Sequence, residues 1–254
     1  ASYFTRRYDE VRGKKFSAAK PFIVMGVLGI FLLAQPDLGS TVVLFVITFG
    51  MLFIVGANFW QFILLIGTGI LLFVWLVLSA SYRLKRFTGF LEPFKDPYGT
   101  GFQLTNSLMA FGRGEISGEG LGNSIQKLDY LPEAHTDFIM AIIGEEFGFI
   151  GILVVVILLG LLIFRAMKIG RESLMLEQRF RGFFALGISF WIFFQGFVNL
   201  GMALGMLPTK GLTFPLVSYG GSSIIIMSAT VGILLRIDHE NRLQRGGQAR
   251  LRDD

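Results

Sequence analysis

Long apolar runs separated by polar segments dominate the sequence. A run of about 20 apolar residues can cross the hydrocarbon core of a bilayer, roughly 30 Å, as an α-helix. Six runs predict six membrane-spanning helices, and the residues that begin at Ala1 are predicted to end one more span. The pattern therefore predicts an all-α, polytopic membrane protein with one large loop at 81–137 that contains short helices. The predicted spans are 21–34, 41–55, 59–80, 138–164, 182–207 and 212–235.

Composition supports a membrane protein and excludes several other classes. Of the 254 residues, 53% are hydrophobic and only 16% are charged, whereas soluble domains carry about 25% charged residues. Cysteine is absent and histidine occurs twice. A disulfide framework, a thiolate nucleophile and a His-rich metal site are therefore excluded.

Lysine and arginine are concentrated on one side of the predicted spans. The N-terminal arm carries six of them, the 165–181 linker five and the tail after 235 five, whereas the opposite short loops carry only Lys210. Because cytoplasmic loops are enriched in Lys and Arg, both ends of this chain are predicted to be cytoplasmic. Asp37, the 81–137 loop and Lys210 are then on the outer side. The net charge of +5 is a signal of topology and does not indicate a nucleic-acid partner.

Asp137 ends the long loop and precedes the fourth predicted span. An aspartate at this place can cap a helix by accepting hydrogen bonds from its first N–H groups. It can also be a functional carboxylate, since charges retained beside hydrocarbon usually face a cavity. Ala141, Gly144, Gly148 and Gly151 follow on the same helical face, which fits a helix-packing groove or a slot for a lipid chain.

Two adjacent carboxylates, Glu145 and Glu146, lie within the fourth predicted span. Glu146 follows Asp137 by nine residues, so a rise of about 1.5 Å per residue places it roughly 13 Å deeper, near the bilayer midplane. At least one of the two must face protein or water. A proton relay or gate and a paired structural carboxylate are both open interpretations.

Lys210 precedes an irregular segment at the start of the sixth predicted span. It is either a solvated lysine between two span ends or a partner for an anionic head group. The sequence Ser-Tyr-Gly-Gly-Ser-Ser at 218–223 is predicted to break or delay the helix. Irregular backbone at membrane depth is tolerated where it lines a cavity, and free N–H groups there can hold a phosphate. The same residues also suit plain helix packing.

Four segments together resemble the SEDS family of bacterial membrane proteins, and the resemblance covers almost the whole chain. The chain resembles the cell-division branch of the family in Gram-negative bacteria more closely than the cell-elongation branch. It implies a ten-helix fold, of which residues 1–254 would hold the end of the fourth helix through the tenth as a single membrane domain. The segments are Gln35-Pro36-Asp37-Leu38-Gly39, Met109-Ala110-Phe111-Gly112-Arg113-Gly114, Leu131-Pro132-Glu133-Ala134-His135-Thr136-Asp137-Phe138, and Leu207-Pro208-Thr209-Lys210-Gly211 with the turn at 218–223.

The resemblance implies peptidoglycan glycosyl transfer during septal wall synthesis. The substrate would be lipid II, a disaccharide-pentapeptide on undecaprenyl pyrophosphate. The 4-hydroxyl of one GlcNAc would attack C1 of a MurNAc on a lipid-linked strand, and undecaprenyl pyrophosphate would leave. Because an α-linked pyrophosphate becomes a β-linked glycoside, the transfer inverts stereochemistry and needs a general base but no covalent enzyme nucleophile.

The same resemblance implies roles for individual residues. Asp137 matches the essential aspartate of the family and is the predicted base. Independently of the resemblance, the positions of Glu145, Glu146 and Asp37 predict either a buried relay or structural carboxylates. No organic cofactor is expected. A divalent cation, Mg²⁺ or Mn²⁺, suits the pyrophosphate chemistry, but no ligand cluster in the sequence requires it. The predicted substrate-binding residues are Lys210, Thr209, Glu133, His135, Arg113, Ser218, Gly221 and Ser222.

Two other functions stay open at this point, a lipid II flippase and a non-catalytic scaffold of the division machinery. Asp137, Lys210 and Asp37 are all predicted on one side, whereas a flippase needs polar sites along its path. The resemblance further implies a multi-pass protein of the inner membrane at the septum, with the 81–137 loop in the periplasm. Its expected partners are a class B penicillin-binding protein and other membrane proteins of division. Small residues between Gly182 and Gly205 are a candidate face for a partner helix.

Overall fold

The structure, a computed structural model, describes residues 1–13, 19–35, 37–56, 59–79, 89–209 and 211–253. Its main elements within these ranges are all helical, which confirms the predicted all-α class. A short 3₁₀ helix (Pro93–Lys95) and a π-helical turn (Gln126–Tyr130) belong to the long loop. The α-helices are α1 (Ser2–Arg6), α2 (Tyr8–Gly13), α3 (Ala19–Ala34), α4 (Leu38–Val55), α5 (Phe59–Leu78), α6 (Phe102–Gly114), α7 (Ile139–Met175), α8 (Arg179–Ala203) and α9 (Gly221–Asp253).

Apolar helices make this a multi-pass membrane protein. In the part of the chain that the structure describes, three helices are long and apolar enough to cross a bilayer: Ile139–Met175, Arg179–Ala203 and Gly221–Gly246. Lys20–Ala34 and Gly39–Val55 are shorter apolar helices. Helices α3, α4, α5, α7 and α8 coincide with the first five predicted spans, although α7 continues to Met175. The total of six spans stays a prediction.

The sixth predicted span begins later than the apolar run indicated. Residues 211–220 are not helical, and α9 begins at Gly221. Leu212 and Phe214 are nevertheless buried. This part of the apolar run therefore packs against the protein without forming a helix. The prediction that the Gly-Gly sequence delays the helix is confirmed.

The chain divides into two compact units. The first comprises Ala1–Ile66, Leu161–Phe193 and Ile225–Asp254, and the second comprises Gly67–Gly160 and Phe194–Ile224. In the first unit, Asn241 is fully buried, and its Nδ2 donates to the oxygen of Ile169 at 3.2 Å and to Ser173 Oγ at 2.9 Å. All the residues of the candidate site that are described below belong to the second unit, with the single exception of Asp37.

In the second unit, α6 packs against the beginning of α7. Ala110, Phe138 and Ala141 belong to one buried apolar cluster. A Cβ atom on Gly114 would be 1.8 Å from the oxygen of Gly144, so only glycine allows the two backbones this approach. This contact attaches the long loop to the helix that follows Asp137.

The small-residue stripe of the fourth span is a packing groove. Ala141 is fully buried, and a Cβ on Gly144 would be 2.5 Å from the ring of Phe111. Gly148 interrupts the helix, so Gly151 does not continue the same face. The alternative expectation of a lipid slot along this stripe is therefore wrong for this conformation, because the loop fills it.

The glycine face of α8 is also occupied by the chain itself. A Cβ on Gly187 would be 2.8 Å from Met51 Sδ, and one on Gly196 would be 2.6 Å from Leu159 Cδ2. A Cβ on Gly201 would be 2.9 Å from Leu207 Cδ1. These glycines do not offer the open face that was predicted for a partner helix.

Candidate active site

Asp137 lies at the end of a compact turn that leads into α7. Its N–H donates to the oxygen of Glu133 at 3.1 Å, and the N–H of Phe138 donates to the same oxygen at 3.2 Å. Glu133 has a φ of 56°, in the left-handed region that non-glycine residues rarely adopt. Thr136 Oγ1 donates to Glu133 Oε2 at 2.6 Å. The turn therefore fixes the backbone of Asp137 and places Glu133 beside it.

The carboxylate of Asp137 is half-buried and its acidity is weakened. Burial, followed by the negative charge of Glu133, raises the pKa of Asp137 to about 6. Both effects disfavour the charged form. A carboxylate with this pKa is a better proton acceptor near neutral pH than an ordinary aspartate, while it is still mostly ionised there.

Within the described residues, the Asp137 side chain does not act as a helix cap. No hydrogen bond from an N–H group to its carboxylate occurs there, whereas Asp37 accepts one from the Ser40 N–H at 2.9 Å at the start of α4. The contrast favours the functional interpretation of Asp137 and the structural one of Asp37.

Asn199 of α8 attaches Asp137 to the irregular segment before α9. Its Nδ2 donates to the main-chain oxygen of Asp137 at 2.7 Å and to that of Leu212 at 2.5 Å. Next to Leu212, a Cβ on Gly211 would be 3.3 Å from Asp137 Oδ2. The segment after residue 210 therefore lies directly against the carboxylate.

Four further contacts hold this segment. Gln195 Nε2 donates to the oxygen of Thr213 at 2.9 Å, and Thr213 Oγ1 lies 3.2 Å from Ser223 Oγ. Ser218 is buried, and its Oγ donates to the oxygen of Thr136 at 2.6 Å while accepting from the Phe214 N–H at 2.6 Å. Ser218 thus holds the segment in place, and its hydroxyl proton is donated to Thr136 rather than available to a substrate.

The other predicted substrate-binding residues are distributed around this segment. Thr209 is half-buried, and His135, Gly221 and Ser222 are exposed. The main-chain oxygen of His135 accepts from the Tyr219 N–H at 2.9 Å, which brings its turn to the end of the segment. Lys210, the remaining predicted binding residue of this segment, lies outside the described residues.

Arg113 forms an ion pair with Glu145, a contact that the sequence did not predict. Arg113 Nη1 is 3.0 Å from Glu145 Oε1, and the Glu145 side chain is fully buried. The carboxylate also accepts from Ser124 Oγ and from the N–H groups of Ile125 at 3.1 Å and Gln126 at 3.2 Å. These donors compensate the burial of the charge.

Glu146 has its own cationic partner in the long loop. Lys127 Nζ is 2.6 Å from Glu146 Oε1, and the Glu146 side chain is 9% exposed. Loop residues pair with both carboxylates, which confirms the prediction that at least one of the two faces protein. The depth of Glu146 in the bilayer stays a prediction. The contacts favour paired structural carboxylates over a relay.

The loop and α7 exchange main-chain hydrogen bonds where the helix is interrupted. Gly148 has φ 65° and ψ −161°, so Glu145 and Glu146 lose the N–H donors that a continuous helix would supply. Their oxygens accept instead from the N–H groups of Glu119 at 3.0 Å and Gly120 at 2.9 Å. In return, the N–H groups of 149 and 150 donate to the oxygens of 115 and 116 at 3.0 and 3.2 Å. Four groups that the break would orphan are thereby paired.

Sequence reasoning missed Asn199, Gln195, Ser124 and Lys127. Gln195 and Asn199 are polar residues four apart within an apolar helix, so they share one helical face. Polar side chains inside a span usually face protein, so this spacing is the one feature of the sequence that could have indicated the two residues. Ser124 and Lys127 carry no comparable signal, because polar residues are ordinary in a loop.

The protein side chains do not form a metal site in the described part of the chain. No group of three or more His, Asp or Glu residues lies close enough to hold an ion there. The donor set around Asp137, with Glu133 as its neighbouring carboxylate, does not fit a cation held by protein ligands alone.

The fold and the site define a multi-pass helical membrane protein that carries a half-buried, weakly acidic carboxylate between a loop and its apolar helices. The chain belongs to the FtsW/RodA/SpoVE family of cell cycle proteins, whose profile matches residues 1–243. The resemblance to the SEDS family is thereby confirmed.

Curated relatives are named probable peptidoglycan glycosyltransferase FtsW. The chain is 84% identical to that of Pasteurella multocida strain Pm70 and 87% identical to that of Haemophilus influenzae strain Rd, in each case over 100% of this chain and 64% of the relative. The relative from Escherichia coli O157:H7 is 57% identical over 96% of this chain and 59% of its own length. The chain thus spans less than two thirds of these proteins.

Solved structures share the fold. One similar chain belongs to a peptidoglycan synthase complex that coordinates polymerization and crosslinking, with a TM-score of 0.72 and 29% identity over 90% of this chain and 63% of that chain. The rod shape determining protein RodA of Thermus thermophilus has a TM-score of 0.60 and 25% identity over 94% of this chain and 62% of that chain.

Proposed function

We propose that the protein to which this chain belongs is a peptidoglycan glycosyltransferase that polymerises lipid II during septal wall synthesis. The observation that carries the proposal is the Asp137 carboxylate, which is half-buried, has a pKa raised to about 6 and does not cap α7 within the described residues. The names of the curated relatives support the same activity.

In the proposed reaction, Asp137 accepts the proton of the GlcNAc 4-hydroxyl as this oxygen attacks C1 of MurNAc. The new C1–O bond forms while the bond from C1 to the pyrophosphate oxygen breaks, and undecaprenyl pyrophosphate leaves with the bonding electrons. One displacement inverts C1, so no enzyme nucleophile is needed. A base of pKa about 6 is suited to this step because it is ionised at neutral pH and still basic.

We assign the pyrophosphate and the sugars to the segment 209–223 and the neighbouring turn. Thr209, Gly221 and Ser222 would supply hydroxyl or main-chain donors there, and Lys210 is the proposed cationic partner of the pyrophosphate. Glu133 and His135 belong to the turn that precedes Asp137. Arg113 is committed to Glu145 in this conformation, so its contact with substrate would require that pair to open. No step is derived through a divalent cation.

We further propose a class B penicillin-binding protein and other membrane proteins of division as partners, at the septum of the inner membrane. Both ends of this chain would be cytoplasmic and the 81–137 loop periplasmic. The similarity to a chain of a peptidoglycan synthase complex that coordinates polymerization and crosslinking supports such a partner, since class B penicillin-binding proteins crosslink strands.

The test is lipid II polymerisation by the whole protein, co-purified with its transpeptidase partner, in wild type and Asp137→Asn. Asparagine keeps the size of the side chain but cannot accept the proton. The matched control is Asp96→Asn, because Asp96 is an exposed loop aspartate whose Oδ2 accepts from the Thr100 N–H at 2.9 Å. We expect Asp137→Asn to lose at least a thousandfold in rate and Asp96→Asn to stay within twofold of wild type.

Polymerisation by Asp137→Asn near the wild-type rate would refute the assignment. A flippase would then be tested with the same variants by following lipid II translocation in vesicles. A scaffold would retain the transpeptidase without either activity.

A further inference from the structure

A single buried amide connects three chain segments beside the proposed base. Asn199 is fully buried in α8, and its Nδ2 donates both of its protons, to the main-chain oxygens of Asp137 at 2.7 Å and Leu212 at 2.5 Å. These oxygens belong to residues 62 and 13 positions away along the chain. No residue with only one donor proton can make both contacts.

The two contacts set the spacing between the carboxylate and the segment opposite it. Gly211 adjoins Leu212, and a Cβ on Gly211 would be 3.3 Å from Asp137 Oδ2. One helical turn away on the same face of α8, Gln195 Nε2 donates to the oxygen of Thr213 at 2.9 Å. Two side chains of one rigid helix thus hold consecutive residues of this segment.

The Asn199 side-chain amide is buried although its hydrogen-bonding groups are not all paired. Asn199 Oδ1 is buried and makes no hydrogen bond within the described residues. A buried acceptor without a partner is unfavourable, whereas the two donated bonds keep the main-chain oxygens of Asp137 and Leu212 paired. The placement is therefore explained by the two donated bonds.

We propose that Asn199 is a positioning residue for the glycosyl transfer, holding the segment 211–213 at a fixed distance from Asp137 so that a bound sugar hydroxyl stays within reach of the carboxylate. The inference rests on the proposed function. Because Asn199 would fix the geometry of the reactive complex, removing its side chain should lower kcat rather than raise KM.

The chain offers a matched control in Asn241. It is equally buried, and its Nδ2 also makes two hydrogen bonds, to Ile169 and Ser173 in the other unit. Replacing either asparagine by alanine removes the same atoms and the same number of donated bonds. A general loss of stability should therefore affect the two variants alike.

The experiment measures kcat and KM for lipid II between pH 5 and pH 9, with the whole protein and its transpeptidase partner. We expect Asn199→Ala to lower kcat at least tenfold with KM within threefold, and Asn241→Ala to leave kcat within twofold. Released from the segment, Asp137 gains water, so its pKa falls and the acidic limb of the rate profile moves to lower pH. Glu133 is the charged group that raises this pKa among the described residues, and it remains in the variant.

Equal losses in both asparagine variants, or a loss in Asn199→Ala with an unmoved acidic limb, would overturn the positioning role. If Asn199→Ala does not reach the membrane, Gln195→Leu replaces it, because this variant releases the same segment at Thr213. An acidic limb of the rate profile that does not move to lower pH in Gln195→Leu would likewise overturn the positioning role. Failure of the proposed function is distinguishable, because Asp137→Asn would then keep polymerising lipid II.

Discussion

The carboxylate of Asp137 and the backbone of Gly211 lie against each other, with Oδ2 3.3 Å from the position of a Cβ on Gly211. The contact excludes water from one side of the carboxylate, and burial is the main cause of its raised pKa. The properties of the proposed base therefore depend on a segment that follows it by more than 70 residues.

The first prediction concerns the pH dependence of polymerisation. Because Asp137 must be ionised to accept a proton, the wild-type rate should fall as pH decreases through about 6. Gly211→Ala adds a methyl group beside Oδ2, which removes further water and should move the acidic limb to higher pH. The control is Gly232→Ala in α9, where a Cβ meets nothing within 4 Å. An acidic limb near pH 4 in wild type would contradict this view of the base.

The second prediction is that Asp137→Asn is inactive but more stable. A carboxyl group whose pKa is higher in the folded protein than in the unfolded chain binds more protons when folded between pH 3.8 and about 6. Stability is therefore lost as pH rises through that window, and the ionised group is a penalty at neutral pH. After discounting for partial exposure, removing the charge should stabilise the fold by about 1 kcal/mol.

Thermal unfolding in detergent at pH 7.5 measures this difference. A helix-cap role would predict no stabilisation, because asparagine caps a helix about as well as aspartate. Asp37→Asn is the comparison, since Asp37 accepts a cap bond from Ser40 and its replacement should not stabilise.

The third prediction tests the interruption of α7. Gly148 has φ 65° and ψ −161°, a region open essentially to glycine alone, and a Cβ there would be 2.4 Å from the oxygen of Ile116. Gly148→Ala should therefore destabilise the protein by roughly 3 kcal/mol or more and release the loop. Gly160→Ala lies in the same helix with nothing within 4 Å and should have almost no effect. Melting temperatures and protease sensitivity of the loop provide the measurement, and equal behaviour of the two variants would exclude the proposed strain.

The fourth prediction separates two carboxylates that share Arg113. Glu145 is fully buried and 3.0 Å from Nη1, whereas Glu119 is 41% exposed and 3.9 Å from Nη2. Glu145→Ala leaves four donors without their acceptor and should cost roughly 3–5 kcal/mol, as for other broken buried pairs. Glu119→Ala should cost less than about 1 kcal/mol. A double-mutant cycle with Arg113→Ala measures each coupling, and a coupling for Glu119 as large as that for Glu145 would contradict the ranking.

The sequence by itself determined the all-helical class, the positions of five apolar helices and the candidate base. These follow from local information, because a run of apolar residues in α3, α4, α5, α7 and α8 must satisfy its own backbone hydrogen bonds in a membrane. Asp137 was identifiable for a similar reason, since a carboxylate beside an apolar helix is costly and needs an explanation. The four motif segments then indicated the family.

Only the tertiary structure decided how the site is held together. The apolar run that begins at Leu212 predicted a helix there, but this segment is not helical, since it is buried against the protein and accepts a hydrogen bond from Asn199. Glu145 was ambiguous until its donors appeared 19 to 32 residues away in the loop. The exchange of main-chain bonds at Gly148 carries no signal in hydropathy, because it depends on where a distant backbone lies. Local periodicity reports which face of an element is apolar, but only the folded chain brings together the groups that complete each other's hydrogen bonds.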